Sequence, residues 1–99
     1  MFTIEYAESV ADDLASMRAS DRKHVLDRIE KQLKHEPAAP ARNRKIIVGI
    51  KPPWEHEEPI WQLRVGQFRV FYDVNEEETL VTIRAIRQKP PHKTTKEIL

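Results

Sequence analysis

Residues 60–74, IWQLRVGQFRVFYDV, leave the chain little freedom of fold. Two alternating apolar runs flank Gly66-Gln67. A glycine at the first central position suits a two-residue type II′ turn, because it takes a positive φ without a Cβ clash. That turn predicts a hairpin with Val65 opposite Phe68, Arg64 opposite Arg69, Leu63 opposite Val70 and Trp61 opposite Tyr72. Side chains alternate across a strand, so Trp61, Leu63, Val65, Phe68, Val70 and Tyr72 share one face, expected to be core. The other face carries Gln62, Arg64, Arg69 and Phe71. Like charges directly opposite one another destabilise a sheet. An arginine pair there has little structural use, whereas a surface that binds a polyanion needs such a pair.

The rest of the chain supplies what a hairpin lacks. Phe2 to Tyr6 alternates as a half-buried strand does. Residues 8–17 read as a short helix with Val10, Leu14 and Met17 on one side and Asp12 and Asp13 near its start, favourable to the dipole. Ser20 is the expected N-cap of a second helix running to about His35, whose stripe is Val25, Leu26, Ile29 and Leu33. Pro37 ends it. Residues 36–58 are broken by Pro37, Pro40, Pro52 and Pro53, with 45–50 apolar enough to dock on the core as a short strand. After the polar turn 75–78, residues 80–86 form another β run, Val81, Ile83 and Ala85 alternating against Leu80, Thr82, Arg84 and Ile86. Pro90-Pro91 stops it, and Thr94 or Thr95 is placed to cap a last helical turn. The expected fold is α+β: two N-terminal helices on one face of a small, mainly antiparallel sheet, in β-α-α-β-β-β order.

A length of 99 residues suits one domain spanning 1–99. The absence of cysteine excludes a disulfide framework and a thiol nucleophile. No apolar run approaches the ~20 residues that span a bilayer, and the first residues lack a signal peptide's basic and apolar blocks. A soluble, cytoplasmic protein is therefore expected, with no membrane partner. The formal net charge is only +1, but acidic residues outnumber basic ones over 1–40 and the reverse holds over 59–99. That asymmetry runs in the direction an anion-binding sheet requires.

Arg64 and Arg69 are the leading site candidates, with Arg84, Arg87, Lys89, His92 and Lys93 nearby in sequence. A guanidinium is a planar fork of donors that matches phosphate oxygens. For any one of these residues, a solvated surface role is the simpler account; the cross-strand pair favours function. His92, behind two prolines in a basic tail, is the candidate acid or base. His56, among Glu55, Glu57 and Glu58, reads as part of a solvated acidic loop, because neighbours in an extended segment point to opposite sides. His24 and His35 read as surface residues. Trp61 belongs to the core face, and Trp54 is expected to cover the core's edge. No glycine-rich nucleotide loop or serine elbow is present.

The run Leu63-Arg64-Val65-Gly66-Gln67-Phe68-Arg69-Val70-Phe71-Tyr72-Asp73 closely resembles the central hairpin of the RelE/ParE superfamily of bacterial toxins, L-R-V-G-x-[YF]-R-V-x-Y. Residues 81–86 are similar to its final strand. This resemblance implies the toxin of a type II toxin–antitoxin pair, with a cognate antitoxin as partner and hetero-oligomers of the two. RelE-like members cut mRNA in the ribosomal A site without metal or cofactor; the RNA's own 2′-OH attacks the adjacent phosphate. Carried over by position, Arg69 matches the hairpin arginine that stabilises the transition state, and Arg64 a basic residue at the reacting phosphate. Lys89 matches a basic residue near the leaving group. Gln62 stands where active members often have a second basic residue. The tail departs from the pattern, since no tyrosine follows Tyr72; His92 is the one group there to substitute.

Three readings follow: a ribosome-dependent mRNA endoribonuclease (catalytic residues Arg64, Arg69, Lys89 and His92; RNA-binding residues Gln62, Arg84, Arg87 and Lys93), a ParE-like inhibitor of DNA gyrase, and an inactive antitoxin-binding homologue.

Overall fold

The central hairpin forms in the expected register: β3 (Trp61–Val65) pairs antiparallel with β4 (Phe68–Asn75), with Arg64 opposite Arg69 and Trp61 opposite Tyr72. Gly66 has φ +58°, the conformation its turn position demands. These elements come from a computed structural model that describes all of residues 1–99. Around the hairpin lie β1 (Thr3–Tyr6), α1 (Val10–Ala15), α2 (Ala19–Leu33), β2 (Arg44–Ile46), β5 (Leu80–Gln88) and α3 (Thr95–Ile98). The sheet order is β1-β5-β4-β3-β2, antiparallel except for the parallel β1–β5 pair. The α+β architecture is as expected, with the short strand β2 and the terminal turn α3 added to the β-α-α-β-β-β series.

One face of the sheet meets α1 and α2. Val10, Val25, Ile29 and Leu33 from the helices pack on Trp61, Leu63, Val65, Val70, Tyr72, Val81, Ile83 and Ile86. Fully burying a side chain of this size contributes about 1.5–3 kcal/mol, so this layer dominates stability. Trp61 and Tyr72 stack at 6.3 Å, and the buried Tyr72 hydroxyl donates to the Pro37 carbonyl at 2.8 Å. That bond fixes the start of the long 36–58 connection.

Half of the opposite face carries a second, smaller core. Ile47, Ile60, Phe71 and Ala85 are buried there beneath Trp54, Ile98 and Leu99. Trp54 lies 5.6 Å from Phe71, covering the edge of this cluster. The connection is thus docked on both sides of the sheet, with Pro37, Ile47 and Pro52 all buried.

Two sequence expectations are corrected. Ser20 is not an N-cap: α2 begins at Ala19, and the extended residue Arg18 precedes it with no side-chain cap. Its carbonyl accepts the Arg22 N–H at 2.9 Å, so the backbone opens the helix unaided. The alternation of β5 also breaks. Phe71 pairs with Ala85 but Tyr72 with Ile83, leaving Arg84 as an extra residue in a β-bulge. The bulge resets the strand's phase, so Ile86 joins Val81 and Ile83 in the helix-side core while Ala85 joins the smaller one.

Candidate functional site

The half of the open face not covered by the smaller core is a basic depression of about 260 Å³. Three elements build it. The hairpin contributes Gln62, Arg64 and Arg69, the 41–45 segment contributes Arg42, Asn43 and Lys45, and the chain beyond β5 contributes Lys89 and Thr95. No carboxylate lines it.

Each side chain is held differently. Arg69 folds back over the hairpin turn, its Nη1 donating to the Gly66 and Phe68 carbonyls, both at 2.9 Å. Partial burial, and then the neighbouring Arg64, hold its guanidinium below the usual arginine range. It remains a cation at neutral pH, as arginine does in proteins. Arg64 is exposed and makes no side-chain ion pair. Lys89 is brought to the turn by its own N–H, which donates to the Gln67 carbonyl at 2.6 Å. Gln62 is buried, and its Oε1 accepts the Thr95 hydroxyl at 2.8 Å. That bond ties α3 across the sheet and leaves the amide nitrogen as the free end of Gln62. A capping box between Thr94 and Glu97 starts α3, and the two Thr94 bonds hold the Glu97 carboxyl below its ordinary range.

Across the strands the arginines form a rung: Arg64 faces Arg69, and Arg69 faces Arg87. Arg87 turns away from the depression. Its Nη1 lies 2.8 Å from Asp13 Oδ1 on α1, while Asp13 Oδ2 accepts the Ile86 N–H at 3.0 Å. Beyond Ile83, β5 has no partner from β1, and Asp13 fills the gap. Arg84 is likewise engaged, its Nε 2.7 Å from the buried Asp73, which also accepts the Glu57 N–H at 2.9 Å.

Of the residues proposed from sequence, the fold gathers Gln62, Arg64, Arg69 and Lys89. Arg84 and Arg87 stand in ion pairs with Asp73 and Asp13. His92 and Lys93 lie on an exposed turn after Pro90-Pro91, outside the depression, with Lys93 3.7 Å from Glu97. The sequence reading missed Arg42, Lys45 and Thr95. The signal for the first two was the basic run Arg42-Asn43-Arg44-Lys45 inside a loop otherwise rich in alanine and proline. Arg44 itself points to the helix side, its Nη1 donating to the Gln32 carbonyl at 2.7 Å. No group of three or more His, Cys, Asp or Glu side chains is placed to hold a metal ion.

Chemically, the depression offers closely spaced cations and N–H donors to an anion, the arrangement that binds a phosphodiester and stabilises charge developing on it. It presents no aromatic ring for a base to stack on.

Comparison with solved structures finds the same fold in three toxins. The toxin–antitoxin complex RelBE2 from Mycobacterium tuberculosis superposes with a TM-score of 0.69 at 20% identity, over 89% of this chain and 98% of that one. An archaeal RelE–RelB complex from Pyrococcus horikoshii gives 0.66 at 20% identity, over 94% and 98%. The isolated E. coli RelE toxin gives 0.65 at 11% identity, over 98% and 94%. No curated protein matches by sequence. The sequence model of the family described as ParE toxin of type II toxin-antitoxin system, parDE, matches residues 4–89, nearly the whole chain. Hairpin, sheet order and family match agree: the chain belongs to the ParE toxin family, within the RelE/ParE superfamily of type II toxin–antitoxin toxins.

Proposed function

We propose that this toxin stops translation by cutting mRNA on the ribosome, and that a cognate antitoxin holds it in check. The observation that carries the reading is the acid-free depression in which Arg42, Lys45, Arg64, Arg69 and Lys89 converge. In the proposed reaction the RNA's 2′-oxygen bonds to the adjacent phosphorus as its proton leaves, and the bond to the 5′-oxygen breaks as that oxygen gains a proton. Arg64 and Arg69 hold the phosphate and neutralise the charge that builds on its equatorial oxygens. In this reading Lys89, just past the end of β5, meets the leaving oxygen. In this reading the ribosome supplies the geometry that aligns the 2′-OH for attack; the depression itself is lined by no histidine or carboxylate side chain. The fold likeness to RelE supports the reading, and the solved toxin–antitoxin complexes of that fold support an antitoxin as partner.

A second reading is favoured by the family match itself: a ParE-type toxin acting on DNA gyrase, with the same cations serving as a docking surface. Induced expression of the chain, with labelled amino-acid and thymidine incorporation followed in parallel, separates the two. Early loss of protein synthesis, relieved by Arg69→Ala, supports the ribonuclease. Early loss of DNA synthesis supports gyrase. Soluble, folded protein with no growth effect overturns both in favour of an inactive antitoxin-binding homologue.

A further inference from the structure

We propose that the hollow on the helix side of the hairpin tip is a nucleobase pocket that prefers guanine. That the base belongs to the RNA held in the depression rests on the reading above; the pocket and its preference do not.

The depression suits a phosphate but offers no ring to a base. The same strand ends carry a ring on their other face. Successive side chains of a strand point to opposite faces. Phe68 and Gln88, paired across β4 and β5, therefore point away from their neighbours Arg69 and Lys89. They line a hollow of about 480 Å³ together with Met17 and Arg18, from the turn between α1 and α2, and Asp21 from the first turn of α2. That volume is in the range of pockets for small organic ligands. Met17, Phe68 and Ile86 supply its apolar wall, and Phe68 the aromatic face on which a base stacks.

Charge selects a neutral ligand. Asp13, on the same lining, spends its oxygens on Arg87 and on the Ile86 N–H, at 2.8 and 3.0 Å. Asp21 is half-buried and makes no ion pair, and the exposed Arg18 on the rim offsets its charge. The hollow is thus close to neutral. No third carboxylate or histidine joins the two aspartates to hold a metal ion.

Hydrogen bonding selects the base. Gln88 Nε2 donates to Gln67 Oε1 at 3.3 Å, which leaves the Gln67 amide nitrogen and Gln88 Oε1 as free ends. With the Asp21 carboxylate, the hollow offers one amide donor and a surplus of acceptors. Guanine alone has two adjacent donors on its pairing edge, N1–H and the 2-amino group, and these match a carboxylate; its O6 takes the amide. Adenine, cytosine and uracil each place an acceptor beside their one donor, so a lone pair would face the carboxylate.

The test is a titration of the ¹⁵N-labelled full chain with GMP, IMP, AMP, CMP and UMP. All five carry the same phosphate, so differences among them report the base, and IMP lacks only the 2-amino group of GMP. The expected result is saturable GMP binding that shifts the Asp21, Phe68 and Gln88 amides, with the other four at least about tenfold weaker. Asp21→Asn narrows the preference for GMP over IMP. Gln88→Leu, at an exposed position that leaves the fold intact, weakens GMP binding. Equal binding of all five nucleotides, shifts confined to Arg64, Arg69 and Lys89, or no binding at millimolar GMP would overturn the proposal. So would an undiminished preference for GMP in a folded Asp21→Asn protein. None of these readouts depends on translation or DNA synthesis, so failure of the pocket and failure of the toxicity reading are told apart.

Discussion

Asp13 on α1 draws the guanidinium of Arg87 to the outside of β5, 2.8 Å from its carboxylate, and so reduces a rung of three arginines to the facing pair Arg64 and Arg69. The same carboxylate caps the Ile86 N–H, which no strand reaches. One side chain therefore closes the sheet edge and shapes the charge of the site. Asp13→Asn keeps one acceptor oxygen but loses the charge, and Asp13→Ala leaves the Ile86 N–H without its partner. Asp13→Ala is expected to cost about 1–3 kcal/mol in denaturant unfolding, with Asp13→Asn less damaging.

Arg69 presents the opposite case, a cation whose charge its surroundings disfavour although its Nη1 donates to the Gly66 and Phe68 carbonyls. Burial and Arg64 both disfavour its charge, and the charged form is penalised at every pH below its lowered folded pKa. That penalty is constant through the neutral range and lifts only as pH rises into the guanidinium range, so salt rather than pH is the handle on it. Arg69→Gln is expected to leave stability unchanged or raise it by up to about 1 kcal/mol, with the gain shrinking as salt screens the pair. Growth inhibition by the variant should fall sharply. A folded Arg69→Gln protein of full toxicity would remove Arg69 from the site.

Tyr72 ties the helix-side core to Pro37, and burial pushes its phenol well above the ordinary value of 10.0. Tyr6 is raised as well, by burial and by Glu30. A phenol whose folded pKa is raised contributes stability that is whole below pH 10 and is lost above it, because only the unfolded chain ionises there. Unfolding free energy should therefore be flat towards pH 10 and decline beyond, with phenolate absorbance rising together with unfolding. Tyr72→Phe strands the Pro37 carbonyl, at a cost of about 1–3 kcal/mol, and flattens the alkaline decline.

Thr95→Val keeps the shape of the side chain but removes the hydroxyl that Gln62 accepts. The four residues of α3 make a marginal helix on their own. Amide exchange at 95–98 should accelerate in the variant while the hairpin amides keep their protection. Unchanged exchange would mean that Ile98 and Leu99, packed on Phe71 and Ala85, hold the tail without help.

The hairpin was legible because all its determinants are local: a glycine at the turn, two alternating runs, and a register that follows from both. Arg64 and Arg69 came with it. Ser20 was misassigned because side-chain preference was weighed where the Arg18 backbone decides. What distance in sequence conceals is charge cancellation. Asp13 and Asp73 carry no local sign of being the partners of Arg87 and Arg84, so all four arginines looked equally free. Arg42 and Lys45 reach the site only because three residues of a proline-rich connection pair with β3. His92 is adjacent to Lys93 and near Lys89 in sequence, but Pro90-Pro91 turns it outward.

The extra residue in β5 has a consequence for what this chain tolerates. Remove Arg84, and Ala85 would follow Ile83 directly, against Phe71 and Tyr72 in an unbroken ladder, every neighbour kept. The sheet does not need that residue. Asp73 does, since without Arg84 a buried carboxylate would be left with the Glu57 N–H alone. Positions 73 and 84 are thus coupled, eleven residues apart in the chain: losing the aspartate and the bulge together costs the fold less than losing the arginine alone, which leaves a buried carboxylate without its cation.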